Sequence, residues 1–288
     1  MDNLSYEISK ITKRSKEGSY ATQTARHKLL MQSSKELKQL GFRHLELKHL
    51  KAKHVYALVN YWQAKELAAK TLANRLSAIR WLSDKINKPE IVKKENEAYH
   101  IPPRSEITTV SKAETLTQST TQSITDIHTQ FSLKLQQHFG LRRQEAIKFT
   151  VNYADLGDKI RLKKSWTKGG RYREVPITTE EQRHLLDQIR QFVGKQSLIP
   201  AHKIYKQQLK TFEYQTSKVD FTHTHGLRHA YALRRYKELA GLEAPCNGGP
   251  SYKELTDQQR RLALTARAQI SQELGHNRIR VTNTYLGK

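Results

Sequence analysis

The pentapeptide His225-Gly226-Leu227-Arg228-His229 is the stretch from which the rest of the chain can be read. It sets an arginine between histidines, and three further clusters of cationic and polar side chains stand around it in order. Gly140-Leu141-Arg142-Arg143-Gln144-Glu145 and Thr167-Lys168-Gly169-Gly170 precede it. Leu274-Gly275-His276 follows, with Tyr285 nine residues beyond that histidine.

Together these side chains suit one substrate. A phosphodiester is anionic, and in-line attack adds charge to its non-bridging oxygens. Two arginines clamp such oxygens with fixed forks of donors. A histidine adds a further donor, a tyrosine can attack phosphorus and form a covalent intermediate, and a lysine can protonate the departing oxygen. Side-chain cations supply the electrostatic stabilisation, so no metal and no cofactor is expected. The clusters contain no paired carboxylates of the kind a two-metal nuclease requires.

The four clusters, in this order and with the nine-residue spacing to Tyr285, resemble the motifs of the tyrosine recombinases, or phage-type integrases. By motif the resemblance covers residues 125–288, and each motif gains its weight from the ordered set. It implies roles position by position. Arg142 and Arg228 bind the scissile phosphate. Lys168, on a hairpin, is the general acid at the 5′ oxygen, with Lys163 and Lys164 as neighbouring alternatives. His225 assists proton transfer at the nucleophile, His276 donates to a non-bridging oxygen, and Tyr285 forms a 3′-phosphotyrosine link. Glu145 orients the site. His229 is expected to pack or hydrogen-bond rather than react. A metal site on His223, His225 and His229 lacks an evident fourth ligand.

The resemblance further implies double-stranded DNA at specific sites as the partner, a homotetramer exchanging strands through a Holliday junction, and accessory DNA-bending proteins. The setting is integration or excision of a mobile element in a bacterial or phage context, at the cytoplasmic nucleoid. Two rivals share parts of this reading: a type IB topoisomerase, which relaxes DNA without a partner duplex, and a non-catalytic DNA-binding protein on the same fold. The interval from Arg228 to His276 is longer than in compact members, and residues 241–262 read as an inserted loop and helix, by default a passive surface element. Three residues follow Tyr285. The resemblance leads one to expect a further C-terminal segment that couples protomers; coupling is then expected to use another element, with the insertion as a candidate.

Composition fits a polyanion partner. The 288 residues carry 51 Lys+Arg against 27 Asp+Glu, a formal charge of +24, and such a charge is the footprint of nucleic-acid binding. Residues 1–104 carry +11 and residues 105–288 carry +13, counted over Lys, Arg, Asp and Glu. The basicity is thus shared, as two surfaces on one duplex would share it. The single cysteine, Cys246, excludes a disulfide framework. No apolar run reaches the length of a membrane span, the polar start does not read as a signal peptide, and no phosphate-cradling G-x-x-x-x-G-K-[ST] loop occurs.

The expected fold is mainly α with a small β-hairpin: an N-terminal helical domain over 1–104, similar to the family's core-binding domain, and a C-terminal α+β catalytic domain over 105–288. The first 20 residues, with Lys10, Lys13, Arg14 and Lys16, are expected to form a mobile arm. Amphipathic stretches then follow at Leu29–Leu40, at Val55–Trp62 and at Leu72–Ile86, each repeating near 3.6 residues. Lys70, Arg75 and Arg80 are expected off the apolar stripe of the third, as DNA-facing cations. Residues 87–124 read as a polar linker without helical periodicity, with the boundary near residue 105. A helix over 124–139, a second from Arg142 towards Phe149, and strands around Ile160–Leu162 and Arg173–Ile177 flanking the Gly-Gly turn come next. Trp166 is expected to pack. A late helix carries Ala263, Ala266, Ile270 and Leu274 and stops at Gly275.

Overall fold

The computed structural model describes residues 2–103 and 107–288. The chain divides into two compact units, 1–105 and 106–288. The boundary expected near residue 105 lies outside the described residues.

The first unit is four helices: α1 (Asn3–Arg14), α2 (Tyr20–Gln39), α3 (Ala52–Ala64) and α4 (Ala69–Lys85). The expected mobile arm is instead α1. Asp2 caps it, accepting from the Ser5 amide at 2.8 Å, and Leu4 and Ile8 are buried one turn apart. The run of lysines and Arg14 obscures this short apolar face in the sequence. Trp62, Leu76, Ile79 and Leu82 build the rest of the core. The segment expected to be linker adds to it: Ile91, Val92, Tyr99 and Ile101 are buried in this unit.

The expected role of Arg75 is corrected. It is buried, and its Nη1 donates to both oxygens of Glu36 at 3.0 Å. Trp62 Nε1 donates to the same carboxylate at 2.7 Å. Arg75 lies three residues after Leu72 and four before Ile79, and so on the apolar stripe rather than off it. Arg80 is half-buried and donates to the Lys93 carbonyl and to Asn96 Oδ1. Lys70 is exposed.

The second unit contains α5 (Gln118–Ser123), α6 (Ile127–Phe139), α7 (Arg143–Ile147), α8 (Val151–Ala154), β1 (Lys159–Leu162), β2 (Arg173–Pro176), α9 (Glu180–Val193), α10 (Tyr205–Lys218), α11 (Gly226–Ala240), α12 (Asp257–Glu273) and α13 (Asn283–Leu286). α5 is a further correction, because the polar stretch before 124 holds a capped turn of helix. Thr117 accepts from the Thr120 amide at 3.1 Å. α6 begins at Ile127, where Asp126 caps it. The strands pair antiparallel, with Ile160 opposite Val175 and Leu162 opposite Arg173. Trp166 packs on Phe149 and Tyr153 as expected.

Helix α11 is the axis of this unit, with α6 and α12 packed on it. Tyr231, Ala232 and Tyr236 of α11 meet Phe139 and Ile270 in the core. Gly140 ends α6 with φ +61°. A Cβ there would lie 2.5 Å from the Tyr231 ring, so glycine is needed both for the turn and for the approach of α11. Among the described residues, no helix is long and apolar enough to cross a membrane.

Candidate active site

Several segments of the second unit converge beside the start of α11. Gly140-Leu141 turns the chain from α6 into α7 and places Arg142 at the α7 N-cap. Arg142 keeps 23% of its side chain exposed, whereas Glu145, one turn on, is fully buried. The Glu145 carboxylate accepts from the Arg142 amide at 2.7 Å and from Arg142 Nη1 at 2.9 Å. Arg173 of β2 adds a two-pronged pair at 2.7 and 2.6 Å. Burial would raise the Glu145 pKa, but the hydrogen bonds and charge of Arg173, then the charges of Arg142 and Arg228, hold it at about 2. It is an anion that braces the arginines.

Arg228, in the first turn of α11, is fully buried. Its terminal nitrogens donate to the carbonyls of Gly140 and Leu274. Nη2 also lies 3.4 Å from His276 Nε2, and Nε donates to the Tyr285 hydroxyl at 3.3 Å. Burial lowers its pKa to about 10, which leaves it charged at neutral pH.

His276 follows the end of α12, where Gly275 adopts φ +66° against the Arg173 side chain. Its amide donates to the Ser271 carbonyl at 2.8 Å. Tyr285 lies in α13 and is buried. Its ring centroid lies 4.6 Å from that of His229, 5.6 Å from His276 and 6.1 Å from His225. Loss of water, followed by the charges of Arg228 and Arg142, lowers the pKa of His225 to about 4 and that of His276 to about 3. His225 is an exposed residue, so solvent weakens this shift. Burial, then the His225, Lys112 and Arg228 charges, puts His229 at about 4. All three imidazoles are neutral at pH 7.

The structure therefore brings Arg142, Glu145, His225, Arg228, His276 and Tyr285 into one cluster. It does not bring Lys168 there. That side chain is exposed on the turn between β1 and β2 and makes no hydrogen bond or ion pair with the described residues. Lys163 lies over the Tyr153 ring at 4.8 Å, and Lys70 and Arg80 belong to the other unit. His229 packs on Tyr285 as expected. Its buried Nδ1 has no hydrogen-bond partner among the described residues.

Sequence reasoning missed Arg173. The signal was present: alternation puts residues 173 and 175 on one face of β2, and Val175 faces the core. An inward arginine requires a buried acid, and Glu145 is that acid.

The arrangement offers three guanidinium groups fixed by their partners, neutral imidazoles and one hydroxyl in a single cluster. Residues 1–91 match the family model described as phage integrase, N-terminal, and residues 104–234 match the model described as integrase. The chain belongs to the tyrosine recombinase, or phage integrase, family. It is a site-specific DNA recombinase by that membership. The second match takes in Arg142, Glu145, Lys168, His225 and Arg228 and stops short of His276 and Tyr285.

Solved tyrosine recombinases share the fold at low identity. The XerH site-specific recombinase bound to palindromic difH substrate, in a post-cleavage complex, is 18% identical with a TM-score of 0.59; the match covers 99% of this chain and 81% of that one. The Tn1549 transposon integrase with circular intermediate DNA is 13% identical at 0.56, over 100% and 96%. A lambda integrase tetramer bound to a Holliday junction is 13% identical at 0.57, over 95% and 73%. No curated protein sequence matches the chain.

Proposed function

We propose that this recombinase cuts one DNA strand by attack of Tyr285 and rejoins it to a partner strand, as integration or excision of a mobile element requires. The observation that carries the reading is the Tyr285 hydroxyl lying on Arg228 Nε within a cluster completed by Arg142 and His276. A phosphate set against Arg228, Arg142 and His276 would face that hydroxyl.

In this scheme Oη of Tyr285 bonds to phosphorus and the bond from phosphorus to the 5′ oxygen breaks. His225 takes the phenolic proton. An anionic phosphate beside it raises its pKa back towards the ordinary range and makes it a better base. Lys168 supplies a proton to the 5′ oxygen when the hairpin turn lies on the DNA. The products are a 3′-phosphotyrosine and a free 5′ hydroxyl. A 5′ hydroxyl from the partner duplex then attacks phosphorus, breaks its bond to Tyr285 and returns the proton. The ester energy is kept in the covalent link, so no step calls on a nucleotide or a metal.

The charge split of +11 and +13 supports contact of both units with one duplex. A homotetramer on two sites follows from the need to exchange two pairs of strands, and the lambda integrase tetramer on a Holliday junction supports it. Accessory DNA-bending proteins and action at a bacterial or phage genome belong to the same proposal.

The test uses a pool of nicked duplexes of randomised sequence, in which cleavage releases a short 5′ hydroxyl end and traps the adduct. A covalent adduct mapped to Tyr285, absent with Tyr285→Phe, is expected. Binding without any adduct would sink the enzymatic reading. Joining of two marked sites, rather than relaxation of a supercoil, separates recombination from topoisomerase action.

A further inference from the structure

The inserted residues after α11 have no place in that scheme, yet three of them reach into the core. Ala244, Cys246 and Leu255 are buried. The chain folds back tightly here: the amides of Asn247 and Gly249 both donate to the Ala244 carbonyl, at 2.8 and 3.0 Å. A Cβ on Gly249 would fall 1.9 Å from the Glu243 carbonyl oxygen, so the turn admits only glycine.

The helix these residues touch is α13, which carries Tyr285. α13 has four residues, too few to stand as an isolated helix, and the last carbonyls of a helix need outside donors. Here donors to the carbonyls of 283, 284 and 285 are identifiable. Cys246 Sγ–H donates to the Tyr285 carbonyl at 3.1 Å. The Thr108 amide donates to the Asn283 carbonyl at 3.1 Å, and its hydroxyl to the Thr284 carbonyl at 2.8 Å. Arg267 of α12 donates to Asn283 Oδ1 and to the Gly287 carbonyl, both at 3.0 Å. Thr108, Cys246 and Arg267 are all buried.

Two of these elements meet at Gly287, φ +76°, where a Cβ would lie 2.9 Å from the Cys246 amide nitrogen and 3.0 Å from the Thr108 carbonyl oxygen. The stretch containing Thr108 continues to Glu114, whose amide donates to the Gly226 carbonyl at 3.1 Å. One short segment therefore bears on α13 and on the start of α11, behind His225 and Arg228.

We infer that residues 244–249, Thr108 and Arg267 form an intrachain clasp that sets the position of Tyr285, with Thr108 as a positioning residue for strand cleavage. The inference rests on Tyr285 being the nucleophile. The clasp determines where its hydroxyl lies because the helix is too short to do so itself.

The test compares wild type, Thr108→Val and Thr108→Ser as full-length chains on the duplex selected from the nicked pool. Three readouts are taken: single-turnover adduct rate, DNA affinity, and amide hydrogen exchange at 283–287 without DNA. Valine keeps the shape and the amide but loses the hydroxyl donor, while serine restores it. The expected result is an adduct rate about tenfold or more lower for Thr108→Val, affinity within about twofold, faster exchange at 283–287, and serine close to wild type. Wild-type cleavage and exchange in Thr108→Val would overturn the inference. So would equal slowing in both variants, which would show that the hydroxyl is not the agent. If Thr108→Val melts below the assay temperature, Cys246→Ala is read by the same criteria. An adduct mapped to another residue would defeat the reading of Tyr285, while hydrogen exchange still reports on the clasp.

Discussion

Arg228 Nε donates to the hydroxyl of Tyr285 across 3.3 Å, while the two terminal nitrogens of the same guanidinium are held by main-chain carbonyls. The cation and the hydroxyl that the proposed cleavage would pair are thus in register with each other. Lysine in place of Arg228 keeps the charge and loses the fork. Arg228→Lys is expected to slow adduct formation by about 100-fold or more, with affinity falling by less than about tenfold. A gel-shift titration beside single-turnover cleavage checks this, and parallel losses in both would contradict it.

Glu145 is a buried anion serving Arg142 and Arg173. Glu145→Gln leaves these cations without their counter-charge and is expected to cost about 3–5 kcal/mol of stability. Since the pKa of Glu145 is lowered to about 2, its contribution is full above pH ~4.5 and is lost as pH falls through about 2. Denaturant melts of both proteins at pH 7 and at pH 3 measure it, and the gap between them should narrow at pH 3.

The three imidazoles around Tyr285 predict an effect of the same sign at higher pH, from a different group of residues. Their folded pKa values, about 4, 4 and 3 for His225, His229 and His276, lie below the ordinary 6.5. Between about pH 6.5 and 4 the unfolded chain holds more protons, so stability is full above 6.5 and declines as pH falls through that window. Burial lowers His54, His128 and His138 too, so the informative quantity is a difference. His276→Gln should show a shallower fall in melting temperature from pH 7.5 to 5. A short duplex should restore stability at pH 5 in wild type more than in the variant.

Gly275→Ala tests the packing behind the site. The new methyl would lie 2.9 Å from Arg173 Cδ, at φ +66°. Arg173 must then shift, which disturbs its pair with Glu145. A loss of about 1–2 kcal/mol from the backbone alone is expected, accompanied by slower cleavage at unchanged DNA affinity. Cleavage at the wild-type rate would show that the bracing of Glu145 by Arg173 does not matter to the reaction.

Lys168→Ala should leave the melting temperature unchanged, because the side chain is exposed and unpaired among the described residues. Cleavage should fall strongly. A substrate with sulfur at the 5′ bridging position, whose leaving group needs no proton, should recover most of the rate. Failure of that substrate to recover it would move the general acid elsewhere, with Lys163 and Lys164 next to be tried.

Much of the site was legible because its chemistry demands particular side chains at short spacings, and Arg142, Arg228, His276 and Tyr285 do converge. The apolar helical stretches were legible for the related reason that a buried stripe repeats near 3.6 residues. What escaped were charged residues pointing inward. Arg75 and Arg173 sit at core positions of their elements, and their acids, Glu36 and Glu145, are 39 and 28 residues away. Pattern reading sends such cations outward because it cannot see the partner. The contact of Thr108 with Thr284 spans 176 residues and leaves no local trace. Helix α1 escaped because its buried apolar face is only Leu4 and Ile8 and its last turns carry Lys10, Lys13 and Arg14.

The anchoring of Arg228 has one more consequence, for how this chain can change over evolutionary time. Its two terminal nitrogens are oriented by the carbonyls of residues 140 and 274, groups that every amino acid carries. The guanidinium is therefore insulated from drift in the side chains at those positions, provided that the path of the backbone is kept. At 140 that path tolerates only glycine, since Tyr231 occupies the space. At 274 no comparable demand falls on the oxygen, and the leucine there answers to the core instead. Substitutions at 274 that fill the same apolar volume should leave the arginine where it is.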